Sequence, residues 1–409
     1  MVIGIDVSRA FLSKRTGIEE YSYQLIKHLR NELAGERVVL YVRKRETEDS
    51  PPAGGWKIGD GIEENEGVEN GTMSNNGYAD FELPNTWEVK ELWGPRLWTQ
   101  GRLALEMFLH PVDVLLVPAH TVPWIHPKNT VVVVHGLEYE FCPEAYSWWE
   151  RVYMRWSIRN SCRWASSIIA VSENTKKDLV ALYGVPEEKI AVVYEGVGGR
   201  ELGMRNKESG MDSKFQIQNF KLQINFKYQV SRPYFLFIGR IEARKNVARM
   251  IEAFDIFKKK CGTDHQLVLA GKPGYGYENN IKYQLSKSKY LKDIMETGYV
   301  SEEEKWQLLS GAGGFLFPTL YEGFGLPVLE AQSAGVPVLT SNVSSLPEVA
   351  GDSAILVDPR SVDDIARGIE KIALDSDFRS GIIENGRKNV KRFSWEKCAK
   401  EVAEVLFNG

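Results

Sequence analysis

The chain has 409 residues, 43% of them hydrophobic and 26% charged, with a formal net charge of -4. That length exceeds one ordinary core and points to two domains, or three, while the slightly acidic balance argues against a nucleic-acid binder, which is normally basic. No apolar run spans a membrane, "MVIGIDVSRA" lacks the regions of a signal peptide, and Cys142, Cys162, Cys261 and Cys398 form no C-x-x-C pair, so a cytoplasmic protein with reduced thiols is expected.

In chain order, "VIGID" reads as a strand, and "SKRTGIEEYSYQLIKHL" follows it as a helix. Thr16 and Glu19 have capping-box spacing, and Gly17 leaves room for a phosphate at that helix N-terminus. "RVVLYV" is the next strand, and residues 50–78, rich in Gly, Asn and Glu, read as a long mobile loop. "DVLLVP" and "VVVVH" follow, the second ending on His135, which places an imidazole at a strand tip where it can contact a ligand. The helix "AYSWWERVYMRWSIRNSCRWA" carries Arg151, Arg155, Arg159 and Arg163 at i, i+4 spacing, with Tyr146, Trp149, Tyr153 and Trp156 on the roughly opposite side. The simplest expectation is a buried aromatic face and a solvated charged one; the alternative is docking on an anionic membrane surface or an acceptor phosphate.

"SIIAVS" and "IAVVYEG" close the first half. Residues 198–232, polar and containing the internal repeat "SKFQIQNFKLQINFKYQ", read as a linker or insertion. Beyond them come "YFLFIGR", "QLVLAGK", "GGFLFP", "PVLTS" and "AILVDP". Continuous apolar strands alternating with helices predict an α/β fold of parallel sheets covered on both faces. Two doubly wound, Rossmann-like domains, residues 1–197 and 233–392, would face each other across a cleft, with ligands at the strand carboxyl ends.

The chemistry concentrates in "FPTLYEGFGLPVLEAQSAGVPVLTSN". Glu322 lies in a loop ahead of a helix that Pro327 can begin and Gly335 can stop, and Glu330 lies about one turn inside it. Gly323 and Gly325 let backbone approach a ligand, and the helix start suits a diphosphate. In "FIGRIEARKNVARMIEAF", Arg240 follows Gly239 at a strand end, and Lys245 and Asn246 are expected to open the next helix, placing two cations where a leaving diphosphate needs them. Asp375 and Asp377 resemble a metal-binding Asp-x-Asp but sit in a polar break between helices, and "GKPGYGY" is Gly-rich without dinucleotide spacing. No H-E-x-x-H, G-x-S-x-G or G-x-x-x-x-G-K-[ST] occurs.

These segments together resemble the retaining glycosyltransferases of family 4, or glycosyl transferases group 1. The resemblance runs from "RTGIEEYSYQLIKHL" through "VSENTKKDLVALYGVPEEKIAVVYEGV" and "GRIEARKN" to "AILVDP", with Glu322 and Glu330 as the family's E-x7-E signature. It implies the two-domain GT-B fold, a nucleotide diphosphate sugar as co-substrate, and no metal or other cofactor. Arg240 and Lys245 would bind the donor diphosphate. Glu322 would contact the transferred sugar with help from the amides around Phe324, Gly325 and Leu326. Glu330 would hold the ribose, the base would pack near Tyr299 and Val300, and His135 would contact the donor sugar. Gly136 stands where many members have Asp, and Glu195 where they often have Asn. The last helix, in "RFSWEKCAKEVAEVLF", would return to the first domain. "HGLEYEFCPEAY" and "SSLPEVAGDSAILVDP" are most similar to mannosyl and O-chain transferases, which favours GDP-mannose over UDP- or ADP-sugars and a glycan or lipid-linked acceptor of cell-surface polysaccharide synthesis; the helix of Arg151, Arg155, Arg159 and Arg163 is where peripheral contact with the inner face of the membrane would be made. An epimerase of the same architecture, which needs no acceptor, and a silent nucleotide-sugar binding protein are the alternatives.

Overall fold

The computed structural model describes residues 1–12, 15, 17–44, 81–94, 98–198, 227–228, 230 and 232–408. The proposed Thr16 cap, the 50–78 loop and most of the 198–232 segment lie outside them.

The first sheet is built from β1 (Val2–Asp6), β2 (Arg37–Lys44), β3 (Trp87–Trp93), β4 (Val114–Val117), β5 (Asn129–Val134), β6 (Ser167–Ala170) and β7 (Ile190–Val192), in the order β3-β2-β1-β4-β5-β6-β7. The second is built from β8 (Tyr234–Ile238), β9 (Gln266–Ala270), β10 (Ile294–Gly298), β11 (Gly314–Phe317), β12 (Val338–Ser341) and β13 (Ala354–Val357), in the order β10-β9-β8-β11-β12-β13. Neighbouring strands pair in parallel throughout both sheets. The α/β class read from the sequence is therefore borne out.

Two strands escaped the sequence reading, β3 and β10, and both are sheet edges. Central strands are covered on both faces and read as unbroken apolar runs, as in β5, where Thr130 through Val134 are buried. An edge strand keeps polar residues on its open side. In "WEVKELW" Trp87 and Leu92 are buried while Glu88 and Glu91 are exposed, and "IMETG" exposes Glu296.

The helices that matter below are α1 (Gly17–Glu32), α2 (Ala104–Leu109), α3 (Trp148–Trp164), α4 (Glu173–Tyr183), α5 (Val247–Cys261), α6 (Glu302–Gly311), α7 (Leu326–Ser333), α8 (Val362–Leu374) and α9 (Trp395–Asn408). In α1, Tyr21, Leu25 and Leu29 repeat every four residues and are buried with Ser22 and Ile26. α9 answers with Trp395, Cys398, Ala399, Val402, Ala403 and Leu406, so the C-terminal helix shares a core with the first sheet and α1. Phe324, Leu329 and Val349 of the second domain join that same cluster, and the Phe324 ring sits 6.1 Å from Tyr194 and 5.7 Å from Phe393.

The return of α9 depends on one small residue. A Cβ at Gly196 would come within 2.3 Å of the Trp395 amide nitrogen and 2.7 Å of the Ser394 carbonyl carbon, both backbone atoms. Gly196→Ala is therefore expected to destabilise the protein by about 2 kcal/mol or more in chemical denaturation, since backbone cannot yield as a side chain does. A change within about 0.5 kcal/mol, ordinary for a surface substitution, would show that the crossing is looser than described.

Candidate active site at the carboxyl ends of the second sheet

Strand order decides where a ligand can sit. β8 and β11 are neighbours, yet the chain leaves β8 toward β9 on one side and β11 toward β12 on the other, so the loops at their carboxyl ends diverge and leave a crevice. Gly239 and Arg240 follow β8 directly, and residues 318–325 follow β11. Arg240 is exposed and lies across Gly274, where a Cβ would come within 2.6 Å of the arginine Cγ and Cδ. The glycines of "GKPGYGY" thus serve to pack a loop beside Arg240.

The next turn corrects one expectation. Lys245 and Asn246 do not open the helix: Ala243–Lys245 form a 3-10 turn, Asn246 takes a left-handed φ of 61°, and α5 begins at Val247. The cause is the buried Asn246 side chain, whose Nδ2 donates to the carbonyls of Pro318 at 2.8 Å and Pro359 at 2.7 Å. Asparagine tolerates the left-handed region at small cost. The turn carries both Arg244 and Lys245 to the loop after β11.

There they meet Glu322. Its Oε1 lies 2.5 Å from Lys245 Nζ and 3.3 Å from Arg244 Nη1, while Arg244 Nη2 reaches Glu242 Oε1 at 3.0 Å. All four side chains are largely buried. Burial alone would raise the Glu322 carboxyl, but Lys245 and Arg244 outweigh it and hold the group below the ordinary carboxylate range. Burial, with Arg244 beside it, pulls the Lys245 ammonium down although Glu322 opposes the change. The loop is fixed from behind: the Glu322 amide donates to Ser344 Oγ at 3.1 Å, and Ser345 Oγ lies 2.9 Å from the Glu322 carbonyl and 2.7 Å from that of Phe324.

Gly325, at φ 112°, precedes α7, Leu326 begins it, Pro327 lies in its first turn without an amide proton, and the Val328 amide donates to the Gly325 carbonyl at 3.0 Å. Glu330 lies in the second turn and has its own cation. Lys305 Nζ of α6 is 2.6 Å from Glu330 Oε1 and 2.8 Å from Glu302 Oε2. Burial opposes the Lys305 charge, yet Glu330 and Glu302 raise its pKa. The Glu330 carboxyl is pushed up by burial, with Lys305 pulling against it. Lys305→Met leaves Glu330 buried without its cation and is expected to cost about 3 kcal/mol in denaturation, part of which Glu330→Gln in the same chain should restore. Purely additive losses would refute the coupling.

The glycine-rich loop is held by the first domain. A Cβ on Gly323 would fall 1.5 Å from the His135 carbonyl oxygen, so its bare face meets protein backbone rather than open space. Ser172 Oγ and Thr175 Oγ1, at the start of α4, donate to the Gly323 carbonyl at 2.7 and 3.2 Å. Tyr321 donates to Asp178 Oδ2 at 2.6 Å and stacks on Phe141 with centroids 4.7 Å apart. Phe324 turns its ring into the shared core, and its carbonyl accepts from Ser345 Oγ.

His135 lies 3.2 Å from Glu195 Oε1 through Nδ1 and 2.8 Å from the Pro118 carbonyl through Nε2. Both partners are acceptors, so both contacts form together only when the pair carries a proton on each side of the ring. Tyr21 and His120 meet the ring edge-on at 4.5 and 5.2 Å. Gly17, at φ 28°, has no atom within 4 Å of where a Cβ would stand. Tyr299 follows β10, exposed, with Lys272 Nζ 5.6 Å from its ring centre, and Val300 packs partly buried against the second core. Asp375 caps the helix after α8, accepting from the Phe378 amide at 2.9 Å. Among the described residues no three His, Cys, Asp or Glu side chains cluster as a metal site.

The structure therefore joins Lys245 to Glu322, sets Arg240 at the adjacent strand end, and separates Glu330 onto Lys305. Sequence reasoning missed Arg244, whose only signal was its adjacency to Lys245. It also missed Lys305, which nothing in "SEEEKW" connects to a residue 25 positions away.

Two family models match the chain, Glycosyltransferase Family 4 over residues 15–198 and Glycosyl transferases group 1 over residues 220–389. O-antigen chain mannosyltransferase B of Escherichia coli is 32% identical over 277 residues, covering 67% of this chain and 69% of that protein. The serotype-specific mannosyltransferase WbdA of Escherichia coli is 29% identical over 69% of this chain and 33% of that longer protein. Among solved structures, WaaG, a glycosyltransferase involved in lipopolysaccharide biosynthesis, aligns over 100% of both chains with a TM-score of 0.67 at 15% identity. HepE of Anabaena, solved with UDP and glucose, aligns over 100% of both with a TM-score of 0.71 at 17% identity. The two sheets, the crevice at β8 and β11, and the matches along both halves lead to one conclusion: the chain belongs to the family 4 glycosyltransferases, with the GT-B fold.

Proposed function

We propose that the protein transfers a hexose from a nucleotide diphosphate sugar to a glycan or lipid-linked acceptor in polysaccharide synthesis, retaining the anomeric configuration, with mannose from GDP-mannose as the favoured donor. The observation that carries this reading is the buried Lys245–Glu322 pair, joined by Arg244 on the same carboxylate and lying just before the start of α7, with Arg240 following the neighbouring strand β8. A diphosphate entering the crevice competes with Glu322 for Lys245. Once Lys245 and Arg240 turn to the phosphates, the Glu322 carboxylate is released to accept hydrogen bonds from the sugar hydroxyls. The mannosyltransferase relatives support mannose as the transferred sugar.

In the transfer, the bond between the anomeric carbon and the diphosphate oxygen breaks and its electron pair stays with the diphosphate. The acceptor hydroxyl attacks the same face, and its proton passes to the leaving phosphate oxygen. The cations and the helix start neutralise the charge that develops, so the reaction runs without a metal. Glu330 holds the ribose, the base lies near Tyr299 and Val300, and His135 borders the sugar.

A screen of GDP-, UDP- and ADP-sugars by thermal shift tests this directly, because a ligand that binds only the folded protein raises its stability. A GDP-sugar should give the largest shift, and that shift should be lost in Lys245→Ala. No shift with any nucleotide sugar, or shifts unchanged in the variant, would contradict the site.

A further inference from the structure

Among the described residues, three other than glycine take a left-handed backbone: His120 at φ 53°, Asn246 at 61° and Ser344 at 56°. Such a conformation is uncommon for a residue with a Cβ and gathers at functional sites. Two of the three are accounted for above, since Asn246 sets the turn that carries Arg244 and Lys245, and Ser344 Oγ accepts from the Glu322 amide. The third belongs to the first domain.

His120 stands at that domain's own crevice. β1 and β4 are neighbours, yet the chain leaves β1 toward β2 on one side and β4 toward β5 on the other, and His120 follows the end of β4 by three residues. The strained segment is fixed on both sides. The His120 amide donates to the Val133 carbonyl at 3.1 Å, Thr121 Oγ1 lies 3.1 Å from Ser157 Oγ, and the Val122 amide donates to Ser161 Oγ at 2.9 Å. Ser157 and Ser161 belong to the buried side of α3, whose aromatic face, expected from the sequence to be buried, is the outer one: Trp148, Trp149, Tyr153 and Trp156 are exposed.

The two histidines at this crevice differ in what they leave free. His135 is enclosed: only 9% of its side chain is exposed, Glu195 meets Nδ1, and the Pro118 carbonyl meets Nε2. Neither ring nitrogen is left for a sugar hydroxyl. His120 is the converse. Its Nδ1 accepts from the His135 amide at 3.4 Å, so the neutral ring carries its proton on Nε2, which has no protein partner among the described residues. Desolvation of this half-buried ring, with His135 and Arg9 adding to it, pulls its pKa well below the ordinary histidine value and keeps the ring neutral. The ring is also close to the transfer chemistry. The His135 carbonyl lies against Gly323, and a Cβ at Gly136 would stand 3.0 Å from the Gly323 Cα, next in the chain to Glu322.

We propose that His120 is an acceptor-binding residue, its Nε2–H donating to a hydroxyl oxygen of the sugar that receives the transferred hexose. The proposal rests on the transfer reading above, and on His120 lying in the domain opposite Arg240, Lys245 and Glu330, the residues assigned to the donor.

Acceptor kinetics of the full chain test it, with GDP-mannose, a synthetic mannoside and that mannoside's monodeoxy analogues, each lacking one hydroxyl. His120→Asn keeps a residue that tolerates the left-handed backbone and a side-chain oxygen for the His135 amide, but its side chain is too short to reach the place of Nε2. It should raise the acceptor KM about five- to tenfold, the loss of one neutral hydrogen bond. The KM for GDP-mannose, the thermal shift that donor causes and the melting temperature should stay at wild-type values. His120→Gly, free of the left-handed strain, should show the same acceptor loss and keep the fold. One monodeoxy acceptor should show that loss with wild-type protein and no further loss with His120→Asn. An unchanged acceptor KM, a rise in the donor KM instead, or losses that add for every deoxy acceptor would overturn the assignment and leave the transfer reading standing. Wild-type protein that transfers from no nucleotide sugar would overturn both.

Discussion

Glu322→Gln is expected to lower kcat/KM for sugar transfer by about 100- to 1,000-fold, the range found when one pre-positioned polar group is removed from a transition-state site. Glutamine keeps the shape but not the charge, so Lys245 and Arg244 lose the carboxylate that both share. Glu322→Ala would remove shape as well and leave two buried cations facing a void, so a loss of about 3 kcal/mol in stability is expected with it. For that reason the glutamine variant separates chemistry from folding better. Its acid stability offers a second check. The folded-state pKa of Glu322 is depressed, so its contribution is present above the ordinary carboxylate value and is lost as pH falls through the depressed one. Wild-type protein should therefore lose more stability than Glu322→Gln as the pH drops from about 5 to about 3. Parallel acid profiles would remove the ion pair from the account.

Lys245→Ala is expected to cost at least about 100-fold in kcat/KM for transfer, because its ammonium holds the diphosphate on binding and is needed still more as the diphosphate departs. Arginine should not rescue it. Its longer planar group cannot occupy the position in which Nζ sits 2.5 Å from Glu322, 5.1 Å from the Phe317 ring centre and within reach of Arg244. Wild-type turnover in Lys245→Ala would sink the proposed role. In the double variant Lys245→Ala, Glu322→Gln, the losses should be far from additive, since donor binding is proposed to separate the same pair.

Much of the fold was legible because central parallel strands must be apolar on both faces, which writes them as continuous runs such as "VVVV" and "GFLF". The edge strands β3 and β10 escaped since one open side lets glutamate and lysine interrupt the pattern. The candidate site was legible at Glu322, whose loop, glycines and following proline announce a helix start. Its counter-charge was only half legible. Asn246 reads as an ordinary helix-opening residue, and only the hydrogen bonds to Pro318 and Pro359 show that it delays the helix and swings Arg244 inward. Gly323 was read as an approach for ligand, whereas its bare side receives the His135 carbonyl from the other domain, a contact between residues 188 positions apart that no local pattern encodes. The aromatic residues of α3 misled in the opposite direction. Aromatic side chains usually mark the buried face, but here the buried face needs serine-sized groups, and the rings stay exposed.

The two glutamates of "YEGFGLPVLE" are not an acid/base couple sharing a proton. Each has its own cation, Lys245 for one and Lys305 for the other, and the start of α7 lies between them. In the proposed function these two sites hold a donor at two points, with the sugar near Glu322 and the nucleoside near Glu330, and the donor's own phosphate takes the acceptor proton.

The most direct test of this account is the anomeric configuration of the product formed from GDP-α-mannose and a synthetic mannoside acceptor, read by proton NMR during the reaction. The account predicts an α-linked product, with release of GDP that depends on Lys245 and Glu322. A β-linked product, or a donor epimerised in the absence of acceptor, would contradict it.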